Sequence, residues 1–244
     1  MRNPDWIVPD WAAPANVRAL VTTRAGGVSE GAWASMNLAL HVGDDPDAVY
    51  SNRRKLRECL PADPAWLDQV HGRTVVDASM TIAPACADAS FARRRGVVCA
   101  VLTADCLPVL LCDRAGTVVA AAHAGWRGLA SGVVDATVDA MGVSPDSIMA
   151  WLGPAIGPDA FEVGPEVREI FCDGDPETES AFVPGARPGK WLADLYLLAR
   201  FRLVRAGVLQ VAGGDRCTCR EGRHFYSYRR DGITGRFASL VWLA

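Results

Sequence analysis

The chain has 244 residues, of which 50% are hydrophobic and 22% are charged, and its formal net charge is −3 at pH 7. A chain of this kind can bury a sizeable core, and its mild negative charge argues against a dedicated nucleic-acid-binding protein. No apolar run approaches the roughly 20 residues of a membrane helix, and the segment MRNPDWIVPDW lacks the apolar core of a signal peptide, so we expect a cytoplasmic protein without a membrane partner.

The first part of the chain is predicted to combine short strands, loops and one helix. Asp45 can cap a helix whose first turn holds Pro46, and apolar residues follow at helical spacing as far as Leu60. In chain order, the predicted elements are a strand at Val17–Thr23, a loop at Arg24–Trp33, the helix from Asp45, a strand at Arg73–Val76 and an irregular segment with one helical turn at Asp77–Arg94.

A β-hairpin is predicted at the centre of the chain. The apolar run Gly96–Leu102 is typical of a buried strand, and two further apolar runs, LPVLLCD and TVVAAA, flank a turn-like segment at Asp113–Gly116. If the hairpin is centred in the middle of that segment, Cys106 directly faces His123, with Cβ atoms roughly 5 Å apart. A shift of one residue would instead place the two side chains on opposite faces of the sheet.

The remaining elements complete the prediction of one α/β domain spanning residues 1–244. No internal repeat is visible, and only the polar stretch Asp173–Lys190 could mark a domain boundary. In chain order, the predicted elements are a helix at Gly128–Met141, a strand at Ile148–Leu152, a helix at Pro165–Cys172, a surface loop at Asp173–Lys190, a helix at Asp194–Ala206, a strand at Val208–Val211 and a final apolar strand, FASLVWLA.

His71, Cys106 and His123 are the candidate metal ligands. Imidazole and thiolate are natural zinc ligands, and a catalytic zinc site keeps three protein ligands and one open position. Each candidate ends a β-like run beside polar or glycine residues, whereas the other cysteines are scattered and are interpreted mainly as buried hydrophobes. Two alternatives remain open: Cys106 and His123 form a nucleophile–base pair oriented by Asp105 or Asp77, or all three residues are structural.

Three further polar features have both a functional and a structural interpretation. The turn Ala124–Gly128 begins a helix, where exposed N–H groups and Arg127 could bind an anion such as phosphate. Asn37 and Arg53 are flanked by apolar residues, and the sequence alone favours a turn asparagine and an arginine lying along apolar surface. The segment Tyr226–Gly232 is aromatic and basic, so it could clamp a nucleobase or form a strand and turn.

Eight motifs occur in one order over nearly the whole chain: TTRAGGVS (Thr22–Ser29), MNLALHVGDDP (Met36–Pro46), NRRKL (Asn52–Leu56), DQVHG (Asp68–Gly72), TADCLPVLL (Thr103–Leu111), AAHAGWRG (Ala121–Gly128), GPAIGPDAFEVGPEV (Gly153–Val167) and CT with FYSYRRDGITGR (Cys217–Thr218, Phe225–Arg236). Together they resemble the laccase-domain or YfiH-type family, whose members are also described as polyphenol oxidases and purine nucleoside phosphorylases. The resemblance implies a single-domain α/β fold in which mixed β-sheets form a sandwich-like core flanked by helices. It also implies a catalytic zinc site at His71, Cys106 and His123, and a substrate pocket that includes Asn37 and Arg53.

The family resemblance implies phosphorolysis of adenosine, inosine and methylthioadenosine, together with deamination of adenosine. We then expect Zn²⁺ to activate a water for deamination. For phosphorolysis, we expect a phosphate that is bound near the metal, near Arg53 or near Arg127 to attack C1′ of the ribose. Copper-dependent oxidation of phenols and editing of peptidoglycan precursors are the alternatives that the resemblance carries. Four histidines are too few for a multicopper laccase, so zinc is expected rather than copper. A purine nucleoside and phosphate are therefore the expected partners, and the oligomeric state stays open.

Overall fold

Two β-sheets packed face to face form the centre of the protein. The computed structural model describes residues 5–80 and 83–244. The strands are β1 (Val17–Val21), β2 (Pro64–Ala65), β3 (Leu67–Asp68), β4 (Val75–Asp77), β5 (Ala85–Cys86), β6 (Ala89–Ala92), β7 (Val98–Thr103), β8 (Leu107–Asp113), β9 (Val119–Ala124), β10 (Ile148–Leu152), β11 (Glu162–Val163), β12 (Phe182–Pro184), β13 (Trp191–Ala193), β14 (Gln210–Gly213) and β15 (Phe237–Leu243).

Both central sheets mix parallel and antiparallel pairs. One sheet has the strand order β1–β15–β7–β2, and the other has the order β14–β10–β8–β9–β6–β4. The pairs β2–β7, β4–β6 and β10–β14 are parallel, whereas the other pairs in these two sheets are antiparallel. Val21 and Val101 of the first sheet pack against Leu110 and Val119 of the second. This apolar layer between two sheets is the sandwich-like core that the family resemblance implied.

Helices cover the outer faces of the two sheets. The α-helices are α1 (Pro46–Arg57), α2 (Trp126–Ser131), α3 (Val133–Met141), α4 (Pro165–Cys172), α5 (Leu195–Arg205) and α6 (Tyr228–Asp231). Val134 of α3 and Leu198 of α5 pack against Val109 of the six-stranded sheet, while Leu56 of α1 packs against Leu240 of the four-stranded sheet. The predicted single-domain α/β fold with mixed sheets and flanking helices is confirmed. No helix in the described ranges is long and apolar enough to cross a membrane.

Local caps explain why α1 and α5 begin where the sequence predicts. The Asp45 carboxylate accepts a hydrogen bond from the backbone N–H of Asp47, and Pro46 occupies the first turn of α1. The Asp194 carboxylate accepts one from the N–H of Leu197 at the start of α5. Both caps are encoded within four residues, which is why a pattern in the sequence is sufficient to locate them.

The segment Asp77–Arg94 is more regular than predicted. It contains a 3₁₀ turn, Ala78–Met80, and the strand β6, which pairs with β4 and β9. The sequence of β6, ASFA, has no clear strand pattern, and partners distant in sequence supply its hydrogen bonds. Residues 81–82 of this segment, like residues 1–4 of the N-terminal segment, lie outside the described residues.

Two other predicted elements also differ in the structure. The single helix predicted at Gly128–Met141 is divided into α2 and α3 at Gly132, whose φ of +88° cannot continue a right-handed helix. The predicted surface loop Asp173–Lys190 contains a 3₁₀ helix at Pro176–Ala181 and the strand β12, whose partner is β13. The 3₁₀ helix is capped within the segment by the Asp175 carboxylate, a local signal that the prediction did not use, whereas β12 was missed because its partner strand lies outside the segment.

Candidate metal centre

The central hairpin forms, but in a different register from the one predicted. His123 pairs with Pro108, and Cys106 lies one residue before β8. The predicted direct pairing of Cys106 with His123 is therefore wrong by two positions. The Asp113 carboxylate accepts hydrogen bonds from the N–H groups of Thr117 and Val118 and so extends the turn by one residue. Because a shift of two positions keeps the face, Cys106 and His123 still lie on the same side of the sheet.

Three separate segments bring His71, Cys106 and His123 together. His71 follows β3, Cys106 lies in the turn between β7 and β8, and His123 is near the end of β9. One possible ligand atom from each residue lies within 4.8 Å of the other two. The Cys106 sulfur is 3.9 Å from His71 Nε2, and the two imidazole centroids are 4.8 Å apart. The chain therefore gathers the three residues that the sequence predicted as ligands.

Asp88, which the sequence analysis missed, links the two histidines. Its fully buried carboxylate lies 2.8 Å from His123 Nδ1 and accepts backbone N–H groups from Val70, His71 and Gly72 at 3.2, 2.9 and 2.6 Å. Burial raises the pKa of Asp88, but the hydrogen bonds from His123 and Gly72 outweigh it and hold the pKa below its usual value. A carboxylate on Nδ1 fixes the ring orientation and leaves Nε2 free to bind a metal.

Asp105 fixes the turn that carries Cys106. Its carboxylate accepts a hydrogen bond from Thr218 Oγ1 at 2.6 Å and another from the backbone N–H of Arg229 at 2.6 Å. Asp88, rather than Asp105 or Asp77, therefore holds the position that orients His123. Among the described residues other than glycine, only His71 and Asp105 have positive φ, at +61° and +91°. Such conformations persist where surrounding contacts impose them, which is typical of functional sites.

The charges at the site favour a thiolate beside the imidazoles. Burial raises the pKa of the Cys106 thiol, but the positive charge of His123 and hydrogen bonds from both histidines lower it to about 6. Burial lowers the pKa of His123, but the Cys106 thiolate and Asp88 raise it to about 9. One thiolate and two imidazoles, with one ring held by a carboxylate, fit the donor set of a zinc site with an open position.

In protein stripped of metal by a chelator, Cys106 is expected to react with iodoacetamide increasingly as the pH rises through about 6, because only the thiolate is nucleophilic. Burial raises the pKa of Cys99 and Cys112 to about 12, so these thiols should stay unmodified. Peptide mass spectrometry between about pH 5 and about pH 9 measures the three rates. A Cys106 midpoint at the ordinary thiol pKa would contradict the charge arrangement described here.

A cavity of about 340 Å³ opens over the three donors. Besides His71, Cys106 and His123, its lining residues are His41, Gln69, Leu102, Thr103, Ala104, Tyr228 and Arg236. The Gln69 amide is held against β7, because it donates to the backbone carbonyl of Leu102 and accepts from the Leu102 N–H. Tyr228 lies in the aromatic and basic segment Tyr226–Gly232, where α6 exposes its ring.

Asn37 lies behind the cavity and is fully buried. Its side-chain oxygen accepts N–H groups from Ala39 and Arg236, and its amide nitrogen donates to Asp44. Asn37 is therefore connected to the cavity through Arg236, which is one of the lining residues. Direct contact of Asn37 with substrate stays a prediction.

Arg53 and Arg127 are also absent from the cavity lining. The Arg53 guanidinium donates to the backbone carbonyl of Leu38 and lies 4.3 Å from the centre of the Trp66 ring. Arg127 is exposed on α2, with its guanidinium 4.4 Å from the ring of Trp126. The structure does not bring either arginine to the three donors, and a contact with substrate stays a prediction for both.

The fold and the site define a single-domain α/β protein with a candidate three-donor metal centre beneath an open cavity. The family described as multi-copper polyphenol oxidoreductase laccase matches residues 18–244, and the chain belongs to this family. It is 60% identical over 238 residues to a purine nucleoside phosphorylase of Pseudomonas aeruginosa, covering 98% of both chains. It is 54% identical over 240 residues to the purine nucleoside phosphorylase YfiH of Escherichia coli, covering 97% of this chain and 98% of that protein.

The fold is also that of solved structures. A crystal structure of a Neisseria meningitidis protein matches with a TM-score of 0.95 and 56% identity, covering 98% of this chain and 99% of that one. A crystal structure of YlmD from Geobacillus stearothermophilus matches with a TM-score of 0.86 and 33% identity, covering 94% and 92%. The family resemblance that the eight motifs indicated is therefore confirmed.

Proposed function

We propose that this protein is a zinc-dependent purine nucleoside enzyme that catalyses phosphorolysis of adenosine, inosine and methylthioadenosine, and deamination of adenosine. The observation that carries the proposal is the convergence of one thiolate and two imidazoles beneath an open cavity. The names of the similar Pseudomonas and Escherichia proteins support the purine nucleoside class. Zinc held by His71, Cys106 and His123 would supply a Lewis acid with one open coordination position.

The cavity walls provide complementary chemistry for a nucleoside. The cavity volume of about 340 Å³ falls within the range of small-molecule sites. Leu102 and Ala104 offer apolar contacts, the Tyr228 ring offers a face on which a purine can stack, and Arg236 supplies positive charge. In phosphorolysis a phosphate oxygen bonds to C1′ while the C1′–N9 bond breaks and its electron pair leaves with the base. The lining residues would orient the reactants and neutralise the phosphate charge.

Copper-dependent oxidation of phenols is the activity that the family description suggests as an alternative. Two histidines and a cysteine also ligate blue-copper centres, which add a weak axial ligand such as methionine. No methionine lines the cavity in the described part of the chain. Among all the described residues, one group has donor atoms close enough together for a metal site, and it consists of His71, Cys106 and His123. We therefore favour a single zinc ion over a multicopper centre.

Turnover of purine nucleosides tests this proposal. Zinc-loaded protein is expected to release the free base from all three nucleosides only when phosphate is present, with ribose 1-phosphate from adenosine and inosine and 5-methylthioribose 1-phosphate from methylthioadenosine. Without phosphate it is expected to release inosine and ammonia from adenosine. Chromatography of the products and metal analysis by mass spectrometry measure both properties. Cys106→Ala should lose both activities and most of the metal, because it removes the thiolate ligand.

Cys86→Ala is the matched control, because Cys86 is an exposed cysteine outside the site, and it should retain both activities. Absence of product from every purine nucleoside would refute the proposal. Oxidation of phenols by copper-loaded protein alone would establish the alternative.

A further inference from the structure

We propose that Arg236 forms an oxyanion subsite of the cavity, binding the oxygens of phosphate, and that Asn37 positions Arg236 for this contact. The proposal rests on the proposed function only in taking inorganic phosphate as the co-substrate. It differs from the sequence-based expectation, which placed phosphate near the metal, Arg53 or Arg127. Neither of those side chains lines the cavity, whereas Arg236 does.

Arg236 is the permanent cation among the described residues that line the cavity. The other lining residues outside the three donors are neutral or apolar, apart from His41. Partial burial and the nearby charge of Arg236 hold the pKa of His41 below its usual range, so His41 is uncharged at neutral pH. Outside the three donors, the positive charge that an anion would meet in the cavity is therefore that of Arg236.

The Arg236 guanidinium is anchored at one end and unpaired at the other. Its Nη1 donates to the backbone carbonyls of Thr234 and Gly235 at 2.9 and 3.0 Å. Its Nε and Nη2 donate to none of the described residues, and Arg236 forms no ion pair with any of them. A half-buried guanidinium without a carboxylate partner retains the donors that bind phosphate oxygens in a bidentate manner.

Asn37 fixes the backbone that carries Arg236. The Asn37 side-chain oxygen accepts the Arg236 N–H at 2.9 Å, and the Arg236 carbonyl accepts the N–H of Leu38 at 3.2 Å. The two residues are 199 positions apart, so this contact joins the loop before α1 to the segment before β15. Asn37 thus acts on the ligand through Arg236, as a positioning residue rather than a catalytic one.

A second observation concerns a buried polar group in the wall of the same cavity. The Thr103 hydroxyl is buried and has no hydrogen-bond partner among the described residues, and Thr103 lines the cavity. Leaving a buried hydroxyl without a partner is costly in a folded protein. A bound oxyanion is a strong acceptor and would satisfy this donor together with Arg236.

Direct binding of inorganic phosphate tests the subsite without turnover. Isothermal titration calorimetry is carried out on zinc-loaded wild type, Arg236→Gln and Arg236→Lys, with phosphate and no nucleoside. We expect Arg236→Gln to weaken phosphate binding by about ten- to a hundredfold. Arg236→Lys should recover part of the affinity, because it restores the charge but not the planar fork. Binding of inosine, which is not a substrate for deamination and is not cleaved without phosphate, should change by less than about twofold, because inosine lacks the anion.

The matched control is Arg114→Gln, which removes an exposed arginine at the opposite end of the β8–β9 hairpin and should leave phosphate binding unchanged. Metal content and thermal melting of each variant show whether it is folded. A parallel titration with adenosine monophosphate distinguishes free phosphate from a phosphoryl group carried by the substrate. Weaker binding of either ligand to Arg236→Gln than to wild type supports the oxyanion subsite. Unchanged binding of both ligands, or wild type that binds neither, would overturn it.

The outcomes separate the subsite from the proposed function. Phosphate that binds through Arg236 in a protein without phosphorolysis would preserve the subsite and refute the function. Phosphorolysis in which Arg236→Gln leaves the KM for phosphate unchanged would preserve the function and refute the subsite. Asn37→Ala should raise the KM for phosphate more than it lowers kcat, which a general loss of stability would not do.

Discussion

Replacing Asp88 with asparagine is expected to lower the zinc affinity of the centre by about ten- to a hundredfold. Both oxygens of the carboxylate accept hydrogen bonds, which come from His123 and from three consecutive backbone N–H groups. An asparagine has only one acceptor oxygen, so its NH₂ group would have to point at some of these donors. If the amide donates to His123 Nδ1, the imidazole proton moves to Nε2, the nitrogen needed for the metal. The substitution therefore favours the tautomer that cannot bind zinc through that nitrogen.

The same substitution should reduce the free energy of unfolding by about 3–5 kcal/mol, because it breaks a buried charged pair. Calorimetric unfolding and competition with a chromophoric chelator measure the two effects separately. Asp139→Asn is the matched control on the exposed surface of α3 and should change neither quantity. Wild-type zinc affinity in Asp88→Asn would mean that Asp88 does not orient His123.

The lowered pKa of Asp88 also predicts how the stability difference between wild type and Asp88→Asn changes with pH. The pKa of Asp88 is held below its ordinary value, so its contribution to stability is fully present at neutral pH. That contribution is lost as the pH falls through the lowered pKa, where the folded protein takes up the proton. The stability difference between wild type and Asp88→Asn should therefore shrink on acidification. A difference that grows toward acid pH would contradict the assignment.

The sequence predicted the features that depend on local patterns. The cap at Asp45 located α1, the amphipathic pattern of Asp194–Ala206 located α5, and the apolar runs around Asp113 located the central hairpin. The alternation of strand residues gave the correct face for Cys106 and His123, although not the correct partner. The register depended on the side-chain hydrogen bonds of Asp113, which residue type alone could not distinguish from an ordinary turn.

Contacts between distant segments could not be predicted in this way. Asp88 lies in ACADAS, a stretch without periodicity, and it gains its role from residues 16 to 35 positions away. Asn37 was interpreted as a turn residue or a substrate contact, and its side-chain oxygen does accept the N–H of Ala39 two residues on, as in a turn. The contact that the sequence did not indicate is with the backbone N–H of Arg236, 199 positions away. A single sequence carries no signal for such contacts, because they form only when segments distant along the chain come together in the fold.

Replacing Gly125 with alanine is expected to lower turnover by about a hundredfold through displacement of Cys106. A Cβ atom at position 125 would lie 2.8 Å from the Cys106 sulfur and 3.3 Å from His71 Cδ2, which is too close for the first pair. The backbone of Gly125, with φ of −62° and ψ of 161°, is readily adopted by alanine. The strain should therefore be confined to the candidate ligands, with little effect on the fold.

Chelator competition, turnover and thermal melting of Gly125→Ala test this expectation. Zinc affinity and turnover should fall together while the melting temperature of the metal-free protein stays near that of wild type. Gly174→Ala is the matched control, because its added Cβ would meet no atom within 4 Å. Unchanged zinc affinity in Gly125→Ala would show that Cys106 does not need its observed position to hold the metal. The register that pairs His123 with Pro108 also brings Gly125 opposite Cys106, so the site requires a residue without a side chain there.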